Sequence, residues 1–264
     1  MVALVLIISG TWMNDTLKYY ALDPIYKKYD HYKLTFSMAY FWSENFLLPL
    51  SHDEVVHGKG TLINKMFGDY ETKFDLLRNL YTYQFAHPGK KLNFMGNELA
   101  SFDEWNEDKS LPWNLLTFPK HDSVRRLLRD LNLIYQSEDA MKFEEYNPAH
   151  FSWNLVDNKD QSVFAFERQA KYSDLLFVFN MTPEYYEHYD VGVNNEGEWE
   201  ELFNSDKDVY GGHNQYNGLP VHSNPGGPEN RSHHITIKLG SYAACIFKRK
   251  IKEAPKPRKT ASKK

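Results

Sequence analysis

Residues 48–60 read Leu-Pro-Leu-Ser-His-Asp-Glu-Val-Val-His-Gly-Lys-Gly (LPLSHDEVVHGKG). An apolar run, Glu44 to Leu50, ends in a burst of ionisable side chains: Ser51, His52, Asp53, Glu54. Parallel α/β proteins present chemistry in this way, because residues at the carboxyl end of a buried strand project into the crevice or barrel mouth where ligands bind. A carboxylate beside an imidazole at such a place can hydrogen-bond hydroxyl groups or stabilise developing positive charge. The bland alternative is a satisfied polar turn. A zinc reading of His52 and His57 fails on spacing: the helical zinc pattern needs histidines four apart, whereas five residues separate their side chains by about 140° on a helix.

Working outward, the pattern continues as helix and strand. Phe74, Leu77, Tyr81 and Phe85 form a helical stripe over 69–86 that His87-Pro88-Gly89 terminates. Lys91 to Met95 is a second short strand, followed by Gly96-Asn97-Glu98 and a second delivered carboxylate. Strand, helix and strand of this length make a βαβ unit with parallel strands. Upstream, the apolar opening MVALVLIIS reads as a buried strand, too short to span a bilayer. Asp15 is the expected cap of a short helix through Tyr20, and 25–41 reads as helical turns and loop. Downstream, 99–120 is an elaborated loop, and a helix starts at Asp122 or Ser123 with Val124, Leu127, Leu128, Leu131, Ile134 and Tyr135 on one face.

Near Phe143 the pattern changes to period two. Phe151/Trp153/Leu155, Val163 to Phe166, Leu175 to Phe179, Trp199 to Phe203, Ile235/Ile237/Leu239 and Tyr242 to Phe247 read as short strands of a β-sandwich, with 204–232 a loop excursion inside it.

Composition sets the limits. Apolar content of 42% and charge of 25% suit a globular protein, and aromatics reach 16%. Aromatic rings fill β-rich cores and also make flat platforms for sugar rings. The net charge of −4 gives no global case for nucleic acid. Eight Lys/Arg from Arg249 to Lys264 against Glu253 make the end of the chain basic, which reads as a solvated, disordered tail. The single cysteine, Cys245, sits in an apolar run and fits a buried thiol in a reducing, cytoplasmic setting.

Five stretches then match one family in order: Trp12-Met13-Asn14-Asp15-Thr16, ENFLLPLSHDEVVHGKG at 44–60, HPGKKLNFMGNE at 87–98, Glu104-Trp105-Asn106 and Tyr210-Gly211-Gly212. Together they resemble bacterial 1,4-α-glucan (glycogen) branching enzymes of glycoside hydrolase family 13, the α-amylase superfamily, in their C-terminal part. The resemblance implies α/β plus all-β architecture: the last part of a (β/α)8 TIM barrel, about strands 6 to 8, over 1–140; a C-terminal antiparallel β-sandwich over 141–250; and the basic disordered tail over 251–264. It implies a glucanotransferase that forms α-1,6 branches by a retaining mechanism. Asp53 would be the transition-state-stabilising aspartate. His52, Glu98 and Trp105 would contact substrate, with core packing the alternative for Trp105 and Trp113 and a structural hydrogen bond the alternative for Glu98. His57 and Lys59 are expected to fix the loop. No metal and no cofactor is implied; the partner is an α-glucan such as glycogen or amylose, with no nucleic acid and no membrane.

The family's nucleophile and acid/base motifs have no counterpart in these residues, and about 250 residues are needed to close an eight-stranded βα barrel. The expectation is therefore an N-terminally truncated fragment, inactive alone, that self-associates through exposed barrel edges. The alternative is a non-catalytic α-glucan-binding protein. A related hydrolase is weaker, since SHDEVVHGK favours branching enzymes.

Overall fold

The structure, a computed structural model, describes residues 7–54, 56 and 58–251. His57, the first six residues of the apolar opening and the tail from 252 onward lie outside them.

A small parallel sheet carries the central stretch. β1 (Ile7–Ile8) pairs in parallel with β2 (Phe46–Leu50). β2 pairs in parallel with β3 (Lys90–Asn93), in the register Leu47↔Lys90 to Leu50↔Asn93. The expected strand–helix–strand unit is thus present, with β3 one residue earlier than read. β1 departs from expectation. Ile7 and Ile8 are 39% and 62% exposed, because among the described residues β1 is an edge strand that pairs with β2 alone.

Between β1 and β2 the chain forms α1 (Gly10–Tyr20), then three single-turn helices, α2 (Pro24–Lys27), α3 (Tyr32–Thr35) and α4 (Ser37–Tyr40). α1 starts five residues before Asp15. Ser9 is its cap, its hydroxyl accepting from the Trp12 amide, so the Gly10-Thr11 pair that reads as a turn is the first helical turn. α5 (Leu62–Lys65) precedes α6 (Tyr70–Ala86), which Asp69 caps by accepting from the Thr72 amide at 2.9 Å. α7 (Pro119–Ser137) begins three residues before the expected start, at a proline whose missing amide hydrogen costs nothing in a first turn. Arg125 and Arg126 pair with Asp122, and Arg129 with Asp130.

The rest is antiparallel β. β4 (Phe151–Leu155), β5 (Val163–Gln169), β6 (Asp174–Asn180), β7 (Tyr186–Val193), β8 (Glu198–Asn204), β9 (Val221–His222), β10 (Asn224–Pro225), β11 (His233–Leu239) and β12 (Ala244–Arg249) form two sheets. The larger has the order β4-β5-β6-β12-β8-β9, the smaller β10-β11-β7. β7 was not read from sequence, and the supposed loop 204–232 contains β9 and β10.

The six-stranded sheet is apolar on both faces, so its strands read as continuous runs. Alternate residues serve different cores. Phe164, Phe166, Leu175, Phe177, Phe179, Ala244 and Ile246 face the helical part. Val163, Ala165, Leu176, Val178, Cys245 and Phe247 face the small sheet, where they meet Tyr189, Val191, Val193, Ile235 and Ile237.

α6 runs between the parallel sheet and the six-stranded sheet, and every residue from Phe74 to Ala86 is buried. Its buried polar side chains therefore reach partners across the core, although Arg78 Nη1 and Gln84 Oε1 are left without one among the described residues. The Gln84 amide donates to the carbonyls of Leu48 and Leu92, both at 3.1 Å. Arg78 pairs with Asp75 and donates from Nε to the Ser205 carbonyl at 3.0 Å. Asn79 donates to the carbonyls of Asn180 and Tyr242 and accepts from the Tyr20 hydroxyl at 2.7 Å. The helix thereby fixes the C-terminal end of β2 relative to the β-sheets.

Candidate functional site

β2 ends at Leu50, and the chain turns at once into a 3₁₀ turn, His52–Glu54. Ser51 is buried and donates to the Asp53 carboxylate at 3.3 Å. That carboxylate also lies 3.2 Å from His52 Nε2, with the two side chains 65% and 58% exposed. An imidazole and a carboxylate thus stand together in solvent at the end of a parallel strand. The His52 ring rests on Phe94, centroids 5.6 Å apart, and Phe94 meets Trp105 edge-on at 5.2 Å.

The floor comes from the end of β3. Asn97, in the 3₁₀ turn Asn97–Leu99, donates to the Leu50 carbonyl at 3.0 Å and accepts from Tyr81 at its own carbonyl. Gly96 must be glycine: its φ is 87°, and a Cβ there would meet Leu111 at 2.9 Å.

A cleft of about 820 Å³ opens here. His52 and Trp105 line it, with Met95, Asn97, Phe102 and Leu111 among the others. Of the four residues singled out from sequence, these two share the cleft. Asp53 stands beside it through its contact with His52, and Glu98 is half-buried next to Tyr81, outside the lining. Trp113 is 55% exposed and also outside it. A polar imidazole, an amide and several aromatic or apolar faces make a surface suited to a ligand with both flat apolar faces and hydroxyl edges.

Lys59 behaves as a loop-fixing group: its ammonium donates to the Asp53 carbonyl at 2.5 Å. Sequence reasoning missed Phe94, which connects His52 to Trp105, and Glu104, whose carboxylate accepts from the amides of Gly58 at 3.0 Å and Gly60 at 2.5 Å. The alternating glycines of Gly58-Lys59-Gly60 were the available signal for an anion held by backbone amides. Among the described residues no group of His, Cys, Asp and Glu side chains is arranged to hold a metal ion. No helix among them is long and apolar enough to cross a membrane.

Residues 153–250 match the family described as the alpha amylase C-terminal all-beta domain. Over 213 residues, 80% of the chain, the sequence is 49% identical to a 1,4-alpha-glucan branching enzyme of Thiobacillus denitrificans. Over 245 residues, 92% of the chain, it is 44% identical to one from Clostridium perfringens. The chain resembles the C-terminal part of a bacterial branching enzyme. It spans 29% and 36% of those two relatives, about a third of their length. The branching-enzyme likeness in sequence is accompanied by a likeness in fold to solved structures. AmyP in complex with maltose superposes with a TM-score of 0.61 at 11% identity, covering 94% of this chain and 51% of that one. The alpha-amylase from H. orenii gives 0.54 at 11% identity, over 93% and 49%.

Proposed function

We propose that this chain is the C-terminal part of a 1,4-α-glucan branching enzyme: the last strands of a (β/α)8 barrel in 1–140, and the β-sandwich in 141–250. The observation that carries the reading is the SHDEVVHGKG stretch, which falls within a 44% identical alignment over 92% of the chain and follows a parallel strand at the edge of a large cleft. In this reading Asp53 accepts hydrogen bonds from the hydroxyls of the reacting sugar and favours its oxocarbenium-like state. His52 donates to a neighbouring hydroxyl. Trp105 offers a half-buried ring face to a glucose unit, and Glu98 supports the rim. The partner is an α-glucan, glycogen or amylose, in a cytoplasmic setting.

The chain by itself holds one of the three carboxylates that a retaining transfer uses, so it does not branch glucan alone. The exposed isoleucines of β1, and sheet edges that no other strand among the described residues covers, favour self-association of the isolated chain.

Isothermal titration with maltoheptaose tests the reading. Saturable binding that Asp53→Asn and His52→Ala both weaken is expected, with no new α-1,6 linkages when the chain is incubated with amylose. Absence of sugar binding by a folded chain would sink it, as would branching activity from these residues alone.

A further inference from the structure

The cleft has two walls that are far apart in sequence. One is the loop that follows His52 and Asp53; the other is the loop 100–112, which carries Trp105. The side chain of Glu104 joins them.

Gly58 and Gly60 both adopt left-handed backbone, with φ of 81° and 79°. Nothing lies within 4 Å of a Cβ built on Gly58, so the dihedral angle and not crowding requires glycine there. That conformation turns the amide hydrogens of residues 58 and 60 toward one point, a concave arrangement that receives anions. The Glu104 carboxylate occupies it, Oε2 accepting from Gly58 and Oε1 from Gly60. Bonds of this kind, from amides to an ionised acceptor, are stronger than neutral ones. A further bond crosses between the same two walls, Asn64 donating to the Phe102 carbonyl at 2.8 Å. Within the first wall, Lys65 donates to the Lys59 carbonyl at 2.7 Å and pairs with Glu54. Lys59 closes the chain of contacts on the backbone of Asp53.

We propose that Glu104 is a positioning residue: by holding the amides of Gly58 and Gly60 it sets the loop behind His52 and Asp53 at a fixed distance from Trp105, and so sets the width of the cleft. Glu104 touches no ligand in this account; it acts through the loop. The part of the inference that concerns sugar rests on the reading given under Proposed function, whereas the part that concerns the loop does not.

Glu104→Gln is the informative variant. It keeps the length of the side chain but turns one acceptor into a donor that faces an amide N–H. Three readouts on the whole chain decide the matter. In glycine-labelled protein, amide exchange at Gly58 and Gly60 should accelerate about tenfold, while Gly211, bonded to the Asp208 carbonyl, keeps its protection. The imidazole resonance of His52 should shift in the absence of any sugar. The affinity for maltoheptaose should fall several-fold. Unchanged exchange at Gly58 and Gly60 together with an unchanged His52 signal overturns the proposal. Faster exchange with sugar affinity retained overturns its link to cleft width. If the unmodified chain binds no maltoheptaose, the sugar reading of the site fails, and the first two readouts still decide the role of Glu104.

Discussion

The ammonium group of Lys27 donates to the carbonyl oxygen of Met181 at 3.0 Å, across 154 residues of sequence. Lys27 is completely buried, and the rings of Tyr19, Tyr20 and Tyr242 surround its charge at 5.3, 5.7 and 5.9 Å. Its contact joins α2 to the turn after β6, so the helical and β parts meet through a cation held by π faces and a carbonyl.

Burial brings the Lys27 pKa down to about 7, against a smaller opposing pull from Asp23. The native state therefore holds this proton less tightly than the unfolded chain does. Such a contribution to stability is fully present above the unfolded value and is lost as pH falls through the native one. Stability should rise by about 2 kcal/mol between pH 7 and pH 9 from this group alone. Lys91, whose pKa burial also lowers, adds in the same direction. Urea denaturation at the two pH values measures the rise, and Lys27→Met should reduce it. A variant with the pH dependence of the original chain would show that Lys27 is not the source.

Asn79 carries the second junction. It sits in the middle of α6, fully buried, and its amide reaches the carbonyls of Asn180, Tyr242 and Ala243 at 3.2, 3.0 and 3.3 Å. Asn79→Leu has nearly the same volume but removes these donations and the acceptor of the Tyr20 hydroxyl, the Ala243 carbonyl keeping only the Asn180 amide. Losing such a network costs about 2–4 kcal/mol. The midpoint of denaturant unfolding should move accordingly, and Asn79→Asp should be no better, since a carboxylate cannot donate.

The sequence made some of this legible and concealed the rest for physical reasons. β5, β6 and β12 stood out because a sheet buried on both faces needs apolar residues at every position. β7 did not, because Glu187, His188 and Asp190 face solvent and only Tyr189, Val191 and Val193 mark its inner face. The start of α1 is hidden in the sequence, since a glycine followed by threonine carries a turn signal that the Ser9 cap outweighs. At the site, His52, Asp53 and Trp105 lay inside recognisable motifs. Phe94 and Glu104 lay in those motifs too, but their roles depend on partners far along the chain, 46 residues from Gly58 to Glu104, and local pattern carries no record of such pairs.

Cys245 offers a probe of the same architecture. It lies in the core between the two β-sheets, completely buried, and burial drives its thiol well above the usual pKa. A protonated, enclosed thiol is inert until the sheets separate. An aromatic disulfide reagent should label it about 100-fold more slowly in buffer than in denaturing urea. The labelling rate through the transition should follow the loss of near-ultraviolet circular dichroism. Rapid labelling in buffer would mean that the small sheet opens independently of the rest.

Phe94 tests the coupling inside the cleft. Its ring is the shared neighbour of His52 and Trp105, at 5.6 and 5.2 Å, and these two side chains reach the cleft from opposite walls. Aromatic pairs of this kind contribute about 0.5–1.5 kcal/mol beyond the area they bury. Phe94→Ala should therefore weaken maltoheptaose binding although the ring is not itself a lining group. Because Phe94 acts by holding Trp105, the losses from Phe94→Ala and Trp105→Ala should fall short of additive in the double variant by a similar amount. Titration of the four proteins measures that shortfall. Fully additive losses would mean that each ring contributes separately, and that Phe94 does not act by holding Trp105.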